Sequence, residues 1–165
     1  MRKKLFRAVL SYGAPILQTD AFHVAMLQKH HLRSTVGLHS IRTAEAALLL
    51  GRLFGEDQAS LTKIALCHDL GILGREKFHS SVECLKEHPV CSAEKAKELI
   101  PDITQKEQDA ILTHMWPLCS MRPESGEGWI LSAADKIASV LDILGRRRNP
   151  DNSTEFANQT YFPCS

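Results

Sequence analysis

The sequence predicts an all-α protein, and three observations lead to this fold class. Apolar residues recur at intervals of three and four positions in several segments, as expected of helices that bury one face. Glycine, proline and capping residues stand at the ends of those segments, where helices begin and end. No segment alternates apolar and polar residues convincingly over the length of a strand. Most of the chain is therefore expected to be helical.

The first half of the chain contains four predicted helices. Their apolar positions place them near residues 5–12, 21–28, 38–54 and 59–69. The first is short and amphipathic, and the sequence Gly13-Ala14-Pro15 is expected to end it because glycine and proline interrupt helices. Gly55 ends the third helix. A polar connection that reaches about Ser80 follows the fourth.

The second half of the chain contains three predicted helices, over residues 89–99, 104–114 and 129–144. Pro89 is expected to open the first, since proline is favoured at the first helical position. Thr104 and Glu107 form a capping box at the start of the second. Gly145 ends the third.

The composition describes an ordinary globular domain. The 165 residues are 44% apolar and 24% charged, with a formal net charge of +1, which suits one domain with a sizeable core. This charge gives no reason to expect nucleic acid or a membrane surface as an obligate partner. The five cysteines are an odd number without a CxxC pair, which argues against a disulfide framework or a thiolate zinc site. A reduced, cytoplasmic setting is predicted.

The chain is expected to divide into three parts. Residues 1–33 are predicted to be an N-terminal helical segment that packs on the main domain. The main domain is assigned to 34–145. Residues 146–165 are predicted to be a basic, loosely held tail, because they begin with three arginines and are then rich in Asn, Pro, Ser and Thr.

The sequence contains histidines and aspartates that could bind a metal ion together, spaced so that they fall on successive predicted helices. His68 and Asp69 are adjacent at the end of an apolar run, so a rigid core element would hold an imidazole and a carboxylate side by side. Residues of the same two types lie on the helices before and after this pair: His39, His88, His114 and Asp135. Convergence of both ligand types from several helices predicts a metal site.

Asp135 is the most informative member of this set. It lies on or beside the apolar stripe of the last predicted helix, where an unpaired carboxylate would be costly and a divalent cation would supply the compensating charge. Taken alone, Asp135 could instead make a buried hydrogen bond or ion pair. The histidines have structural alternatives too: a helix-start surface residue for His39, a core histidine for His68, a solvent-facing N-cap for His88 and an imidazolium at a helix end for His114.

From about Ser34 to Leu144 the order H…HD…H…H…D resembles that of the HD superfamily of metal-dependent phosphohydrolases. The resemblance implies an HD-domain helical bundle with one or two divalent transition-metal ions, namely iron, manganese, nickel, cobalt or zinc. It implies a first metal bound by His39, His68, Asp69 and Asp135. A second metal would be bound by His88 and His114, with Asp69 bridging the two.

The same resemblance implies the chemistry. A metal-activated water would cleave a phosphomonoester or phosphoanhydride of a small phosphorylated substrate, with a nucleotide favoured, and His68 and Asp69 would lie at the catalytic centre. Arg42 and Lys136 flank two of the proposed ligands and could reach a substrate phosphate as charged donors. A surface ion pair or a snorkelling side chain is the alternative for both. His79 is expected at the surface, and His23, His30 and His31 carry no signal.

Departures from the motifs of one better-defined HD branch argue against cyclic-dinucleotide phosphodiesterase activity. Ile72 stands where the cyclic-dinucleotide phosphodiesterase branch has a lysine, and Met-Trp-Pro follows His114 in place of Gly-Tyr-Pro. The dinucleoside tetraphosphate hydrolase branch shares the residue order and is a plausible relative. The strongest likeness is to small single-domain bacterial HD proteins of unassigned substrate. Two other classes stay open: a catalytically silent metal-binding HD domain that acts as a nucleotide sensor or protein-interaction module, and a purely structural helical module without metal.

Overall fold

The computed structural model describes residues 2–30, 34–74 and 78–144, and the predicted tail at 146–165 lies outside them. Within the described residues the fold is all-α, as predicted. Its seven helices are α1 (Arg2–Leu17), α2 (Asp20–Leu27), α3 (Val36–Phe54), α4 (Gln58–Cys67), α5 (Ser81–Leu99), α6 (Gln105–Thr113) and α7 (Gly126–Ile143). None of them, over these described ranges, combines the length and the apolar composition needed to span a membrane.

Three short elements complete the described chain. Strands β1 (Lys29–His30) and β2 (Ser34–Thr35) pair antiparallel, with Lys29 opposite Thr35. A 3₁₀ turn over Leu70–Ile72 follows α4. The strand pair is too short to produce the alternating pattern by which strands are recognised in a sequence.

Helices α3 and α4 lie at the centre of the bundle. Helix α3 packs on both α7 and α4, and α4 also contacts α1, α5 and α6. Ile41 and Leu48 of α3, Ile64 of α4 and Leu131 of α7 are buried in one apolar cluster. The helices that carry the predicted ligands are therefore fixed by burial of apolar surface, the main stabilising contribution in a domain of this kind.

Helix α1 does not end at Gly13, so that prediction is wrong. It continues through Pro15 to Leu17. Pro15 has no backbone N–H, so the carbonyl of Ser11 has no partner within the helix, but Ser11 is exposed and water can hydrate this carbonyl. Burial of Ile16 and Leu17 favours the extra turn. Gly13 has a packing role instead, because a Cβ there would overlap the side chain of Leu66 on α4.

Helix α5 begins at Ser81, eight residues before the start predicted at Pro89. The Oγ of Ser80 accepts a hydrogen bond from the backbone N–H of Glu83 at 3.0 Å and so caps the helix at its true start. Pro89 leaves the Leu85 carbonyl without an N–H partner within the helix, and the Sγ of Cys119 lies 3.5 Å from that oxygen. His88 is consequently in the middle of a helix and buried, not at a solvent-facing N-cap.

Other helix boundaries lie close to their predicted positions. The capping box is confirmed: the Thr104 N–H donates to Glu107 Oε2 at 2.8 Å, and the Glu107 N–H donates to Thr104 Oγ1 at 3.2 Å. Helix α7 begins three residues earlier than predicted, because Ser125 caps it through the N–H of Gly128 at 3.1 Å.

Candidate metal centre

The six predicted ligands meet at one buried centre. Each comes from a different place in the fold: His39 from α3, His68 from the end of α4, Asp69 from the position between α4 and the 3₁₀ turn, His88 from α5, His114 from the end of α6 and Asp135 from α7. All six are less than a tenth exposed: His39, His68, Asp69, His88, His114 and Asp135. Charged and polar side chains are rarely buried to this extent without partners, so the cluster calls for a chemical explanation.

The 3₁₀ turn after α4 places the His68-Asp69 pair. His68 follows the last residue of α4, and Asp69 precedes the turn. A Cβ at Gly71 would overlap the backbone carbonyl of His88, so only glycine allows the turn to approach α5 this closely. The Gly71 N–H also donates to the Oγ of Ser92 on α5 at 2.9 Å. This contact brings the carboxylate of Asp69 up against the His88 ring.

Asp69 lies between two pairs of imidazoles. Its Oδ2 is 3.7 Å from His39 Nε2 and 3.6 Å from His68 Nε2. Its Oδ1 is 3.4 Å from His88 Nε2 and 3.6 Å from His114 Nε2. Each oxygen thus faces a different pair of nitrogens, which is the arrangement expected of a carboxylate that can serve two cations.

Asp135 closes the side of the centre formed by α3 and α7. Its Oδ1 lies 3.0 Å from His39 Nε2 and 3.7 Å from His68 Nε2. The Nζ of Lys136 donates to Asp135 Oδ2 at 3.0 Å. His39, His68 and Asp135 form one group whose ligand atoms all lie within 4.8 Å of one another. A second such group contains His68, Asp69 and His114.

Backbone carbonyls fix the orientation of three of the rings. Each Nδ1 lies at hydrogen-bond distance from the carbonyl three or four residues earlier: His68 to Ala65 at 2.8 Å, His88 to Cys84 at 2.7 Å and His114 to Ile111 at 2.6 Å. A carbonyl oxygen only accepts, so each Nδ1 carries the hydrogen. In the neutral ring Nε2 then presents a lone pair to the centre, as in metal-binding histidines.

The fourth ring, that of His39, is held by a carboxylate. Its Nδ1 lies 2.9 Å from Oδ2 of Asp142, and the guanidinium of Arg42 pairs with the other oxygen of Asp142. Sequence reasoning missed Asp142, although it follows Asp135 by two helical turns on the same face of α7. Arg42, which also contacts the Oγ of Ser34 at 3.3 Å, lies behind His39. The structure thus shows the ion pair that was the alternative for Arg42, and its contact with a substrate phosphate stays a prediction.

His30 is a further residue that sequence reasoning missed. Its Nε2 lies 3.5 Å from Asp69 Oδ2, and with His39 and Asp69 it forms a third group whose ligand atoms lie within 4.8 Å of one another. The pairing of β1 with β2 positions it at the centre. Because each strand has two residues, no sequence pattern pointed to this histidine. His79 is exposed, as predicted.

The electrostatic environment keeps the central carboxylates ionised. Burial alone would raise the pKa of Asp69, but the imidazoles of His68, His114 and His88 hold that pKa well below its ordinary value. Burial would likewise raise the pKa of Asp135, but His39 and His68 hold that pKa well below its ordinary value. Burial lowers the pKa of His114 and favours its neutral ring, although Asp69 acts in the opposite direction.

These donors fit a divalent transition metal. The His68 Nε2 is buried and has no hydrogen-bond partner in the parts of the chain that the structure describes. Ionised carboxylate oxygens and imidazole lone pairs face one another without enough hydrogens between them, so a cation is the group that would satisfy both. A mixed imidazole and carboxylate set suits iron, manganese, nickel, cobalt or zinc better than calcium.

A cavity of about 760 Å³ opens beside these residues. Asp69, His88 and Asp135 line it together with His30 and Lys136. A small molecule in this cavity would therefore contact the centre directly, and the volume lies within the ordinary range for ligand sites, roughly 300–1,000 Å³.

The HD-domain family model matches residues 36–139, which is more than half of the chain and includes all six predicted ligands. The chain therefore belongs to the HD-domain family, whose members are generally metal-dependent hydrolases. No curated protein and no solved structure matches the chain significantly.

Proposed function

We propose that the protein is a metal-dependent phosphohydrolase that cleaves a phosphomonoester or phosphoanhydride of a small substrate, with a nucleotide favoured. The observation that carries this proposal is the position of Asp69. Its carboxylate is surrounded by imidazoles of the buried centre and also lines the cavity. Membership of the HD-domain family supports the same chemistry.

The residues divide into two sets around Asp69. His39, His68 and Asp135 would hold a first ion, and His88 and His114 would complete a second. When bound, such ions supply a polarised phosphoryl oxygen and an activated water. The chain contributes orientation, since anchored Nδ1 atoms leave the rings of His68, His88 and His114 little freedom to turn.

Lys136 is the residue best placed to bind the substrate phosphate. Its Nζ donates to the His114 carbonyl at 2.6 Å and to Asp135 at 3.0 Å, which holds the ammonium beside the centre. Lys136 lines the cavity and is partly exposed, so the remaining N–H can point toward a ligand there. A lysine ammonium binds phosphoryl oxygens as a compact charged donor.

The nucleotide proposal is supported by the size and composition of the cavity. A nucleoside fits the volume, and apolar side chains such as Phe78 and Met115 can pack against the flat face of a base. Serines that line the same cavity, Ser80 and Ser81, can donate hydrogen bonds to hydroxyl groups of a sugar.

The test is hydrolysis of a substrate panel by protein loaded in turn with each of the five metals, measured as phosphate release and, for substrates whose cleavage frees no orthophosphate, by chromatography of the nucleotide products. The panel contains nucleoside mono-, di- and triphosphates, symmetrical dinucleoside tetraphosphates and simple phosphomonoesters. We expect metal-dependent release that Asp69→Asn abolishes and Asp102→Asn, a change of an exposed carboxylate, preserves. Saturable nucleotide binding without any product would instead establish the catalytically silent sensor.

A further inference from the structure

The cavity beside the centre has a polar end and an apolar arm. Its charged and imidazole residues belong to or adjoin the metal centre. The rest of the wall is formed mainly by large apolar side chains, among them Phe78, Leu85, Leu118, Val140 and Ile143, together with the hydroxyls of Ser80, Ser81 and Ser139. This division places the reacting end of a substrate and its remaining body in chemically different surroundings.

Helix α7 runs along the length of this arm. Lys136, Val140 and Ile143 are spaced four and three residues apart, so they share one face of the helix. Seven residues of helix at 1.5 Å each separate Lys136 from Ile143 by about 10 Å along the axis. A substrate whose phosphoryl group lies by Lys136 would therefore need a body about 10 Å long to reach Ile143.

The apolar arm is exposed to solvent as it stands. Val140 is 53% exposed and Ile143 is 59% exposed, and Leu85 and Leu118 are exposed as well. Covering such side chains with an apolar ligand removes both surfaces from water, which favours binding. A chain of phosphates in the same place would lose hydration without gaining a charged partner, since the described lining residues outside the metal centre and Lys136 are uncharged.

We propose that the apolar arm selects phosphomonoesters with one phosphoryl group and a large apolar body. This proposal rests on the proposed function and narrows it, because it excludes di- and triphosphates as preferred substrates. The phosphoryl group lies at the metal centre beside Lys136, and the organic group lies along Leu85, Val140 and Ile143. A nucleoside monophosphate is accepted through the apolar faces of its base, so the identity of the base has little effect.

Straight-chain alkyl phosphates from ethyl to octyl test the arm. Their leaving groups are primary alcohols of nearly equal basicity, so differences in kcat/KM report binding of the chain and not the chemistry of cleavage. We expect kcat/KM to rise about two- to fourfold for each added methylene, since a buried methylene contributes on the order of a fourfold change. The rise should level off near eight carbons, where the chain reaches the end of α7.

Two variants locate the effect on α7. Val140→Ser and Ile143→Ser should each lower the ratio of kcat/KM for octyl phosphate to kcat/KM for ethyl phosphate about tenfold. Both side chains are more than half exposed, so the fold should tolerate the changes. Leu53→Ser on α3 is the matched control, because Leu53 is 73% exposed and does not line the cavity.

A calorimetric titration of the metal-loaded protein with ethyl and octyl phosphate separates this proposal from the proposed function. Tighter binding of octyl phosphate that Ile143→Ser removes supports the arm even if no phosphate is released, and the absence of turnover then counts against the hydrolase alone. Equal binding and equal kcat/KM across the alkyl series would overturn the arm while phosphate release still supported a hydrolase. A preference for nucleoside triphosphates over monophosphates would also overturn it.

Discussion

The Nε2 of His88 lies 3.2 Å from the Nε2 of His114. Both rings present their Nδ1 to backbone carbonyls, so both Nε2 atoms carry lone pairs when the rings are neutral. Two lone pairs at this distance repel unless a proton or a metal ion lies between them. Burial lowers the pKa of His114, which disfavours the proton on that ring, and Asp69 Oδ1 lies 3.4 Å from His88 Nε2 to complete a ligand set.

A second metal ion at this pair gives the first prediction. Wild-type protein is expected to bind two transition-metal ions per chain, while His88→Ala and His114→Ala should each bind one, because His39, His68 and Asp135 remain. Turnover should fall by orders of magnitude in both variants, since the second ion stabilises the leaving oxygen. Elemental analysis after saturation with metal measures the occupancy. Equal metal content in all three proteins would establish a single-metal site, in which these imidazoles serve as acid or base.

Removal of the shared carboxylate should affect both ions. Asp69→Ala is expected to lower total metal content and abolish hydrolysis, because within the described residues Asp69 alone has a carboxylate within 3.7 Å of His39, His68, His88 and His114. Metal content and phosphate release are the measurements, with circular dichroism to confirm the helical fold. Near-normal turnover in this variant would show that Asp69 does not bridge.

Cys67→Ala is the matched control for that experiment. Cys67 is adjacent to His68 but fully buried, and burial raises the pKa of its thiol to about 12. The thiol therefore stays protonated in the metal-free protein at neutral pH. Among the described residues, Cys67 belongs to none of the groups that could hold a metal ion, so we expect it not to be a ligand. We expect unchanged metal content and turnover, with a loss of about 1 kcal/mol in the free energy of unfolding from the small cavity left behind.

The predictable part of the site consists of residues in a recognisable order on long helices. His39 and Asp135 lie on α3 and α7, whose apolar spacing was evident, and the order of the six residues, which resembles that of the HD superfamily, implied that the two lie in one site. The Thr104 cap was equally evident, because a capping box involves residues three positions apart. The helices and the cap depend on local chemistry, which the sequence displays directly.

The features that sequence reasoning missed depend on contacts between distant segments. Asp142 reaches His39 across 103 positions, and only the way α7 crosses α3 makes them neighbours. Helix α5 was predicted to start at Pro89 because proline is a common first residue of a helix. The helix instead starts before Pro89 and continues past it. Ser80 caps its true start, and the distant Cys119 lies near the Leu85 carbonyl that Pro89 leaves without an N–H partner.

The buried pair of Asp142 and His39 gives a prediction about metal affinity. Asp142→Asn should weaken binding of the first ion about 10- to 100-fold, as expected when the partner that orients a metal-binding histidine is changed. Asp142 does not line the cavity, so KM at saturating metal should stay within about twofold of the wild-type value. Metal titrations and KM values separate the two effects.

A merely structural role for Asp142 has a different outcome. In that case the variant would lose stability, because the partly buried guanidinium of Arg42 loses a charged partner, while metal affinity per folded molecule would not change. Thermal melts with and without metal distinguish the cases. Wild-type metal affinity in a folded variant would contradict a positioning role for Asp142.

The capping box of α6 gives a prediction about pH and stability. Burial would raise the pKa of Glu107, but the backbone N–H and the hydroxyl of Thr104, with help from Ser60 and Lys63, hold that pKa below its ordinary value. A carboxyl group whose folded pKa is depressed stabilises the fold fully above its unfolded pKa of about 4.3, and this contribution is lost as the pH falls through the folded pKa. Glu107→Gln should therefore cost about 1 kcal/mol of unfolding free energy at pH 7, similar to the loss of a helix cap.

The difference between wild type and Glu107→Gln should shrink as the pH falls below about 4, because the protonated carboxyl group of the wild type then resembles the amide of the variant. Urea unfolding of metal-free protein between pH 3 and 7 measures this difference without interference from metal loss. Glu87→Gln, which changes an exposed carboxylate on α5, controls for the loss of one charge. A Glu107→Gln difference that stays constant from pH 3 to 7 would show that the shape of the cap, and not the charge of Glu107, stabilises the start of α6.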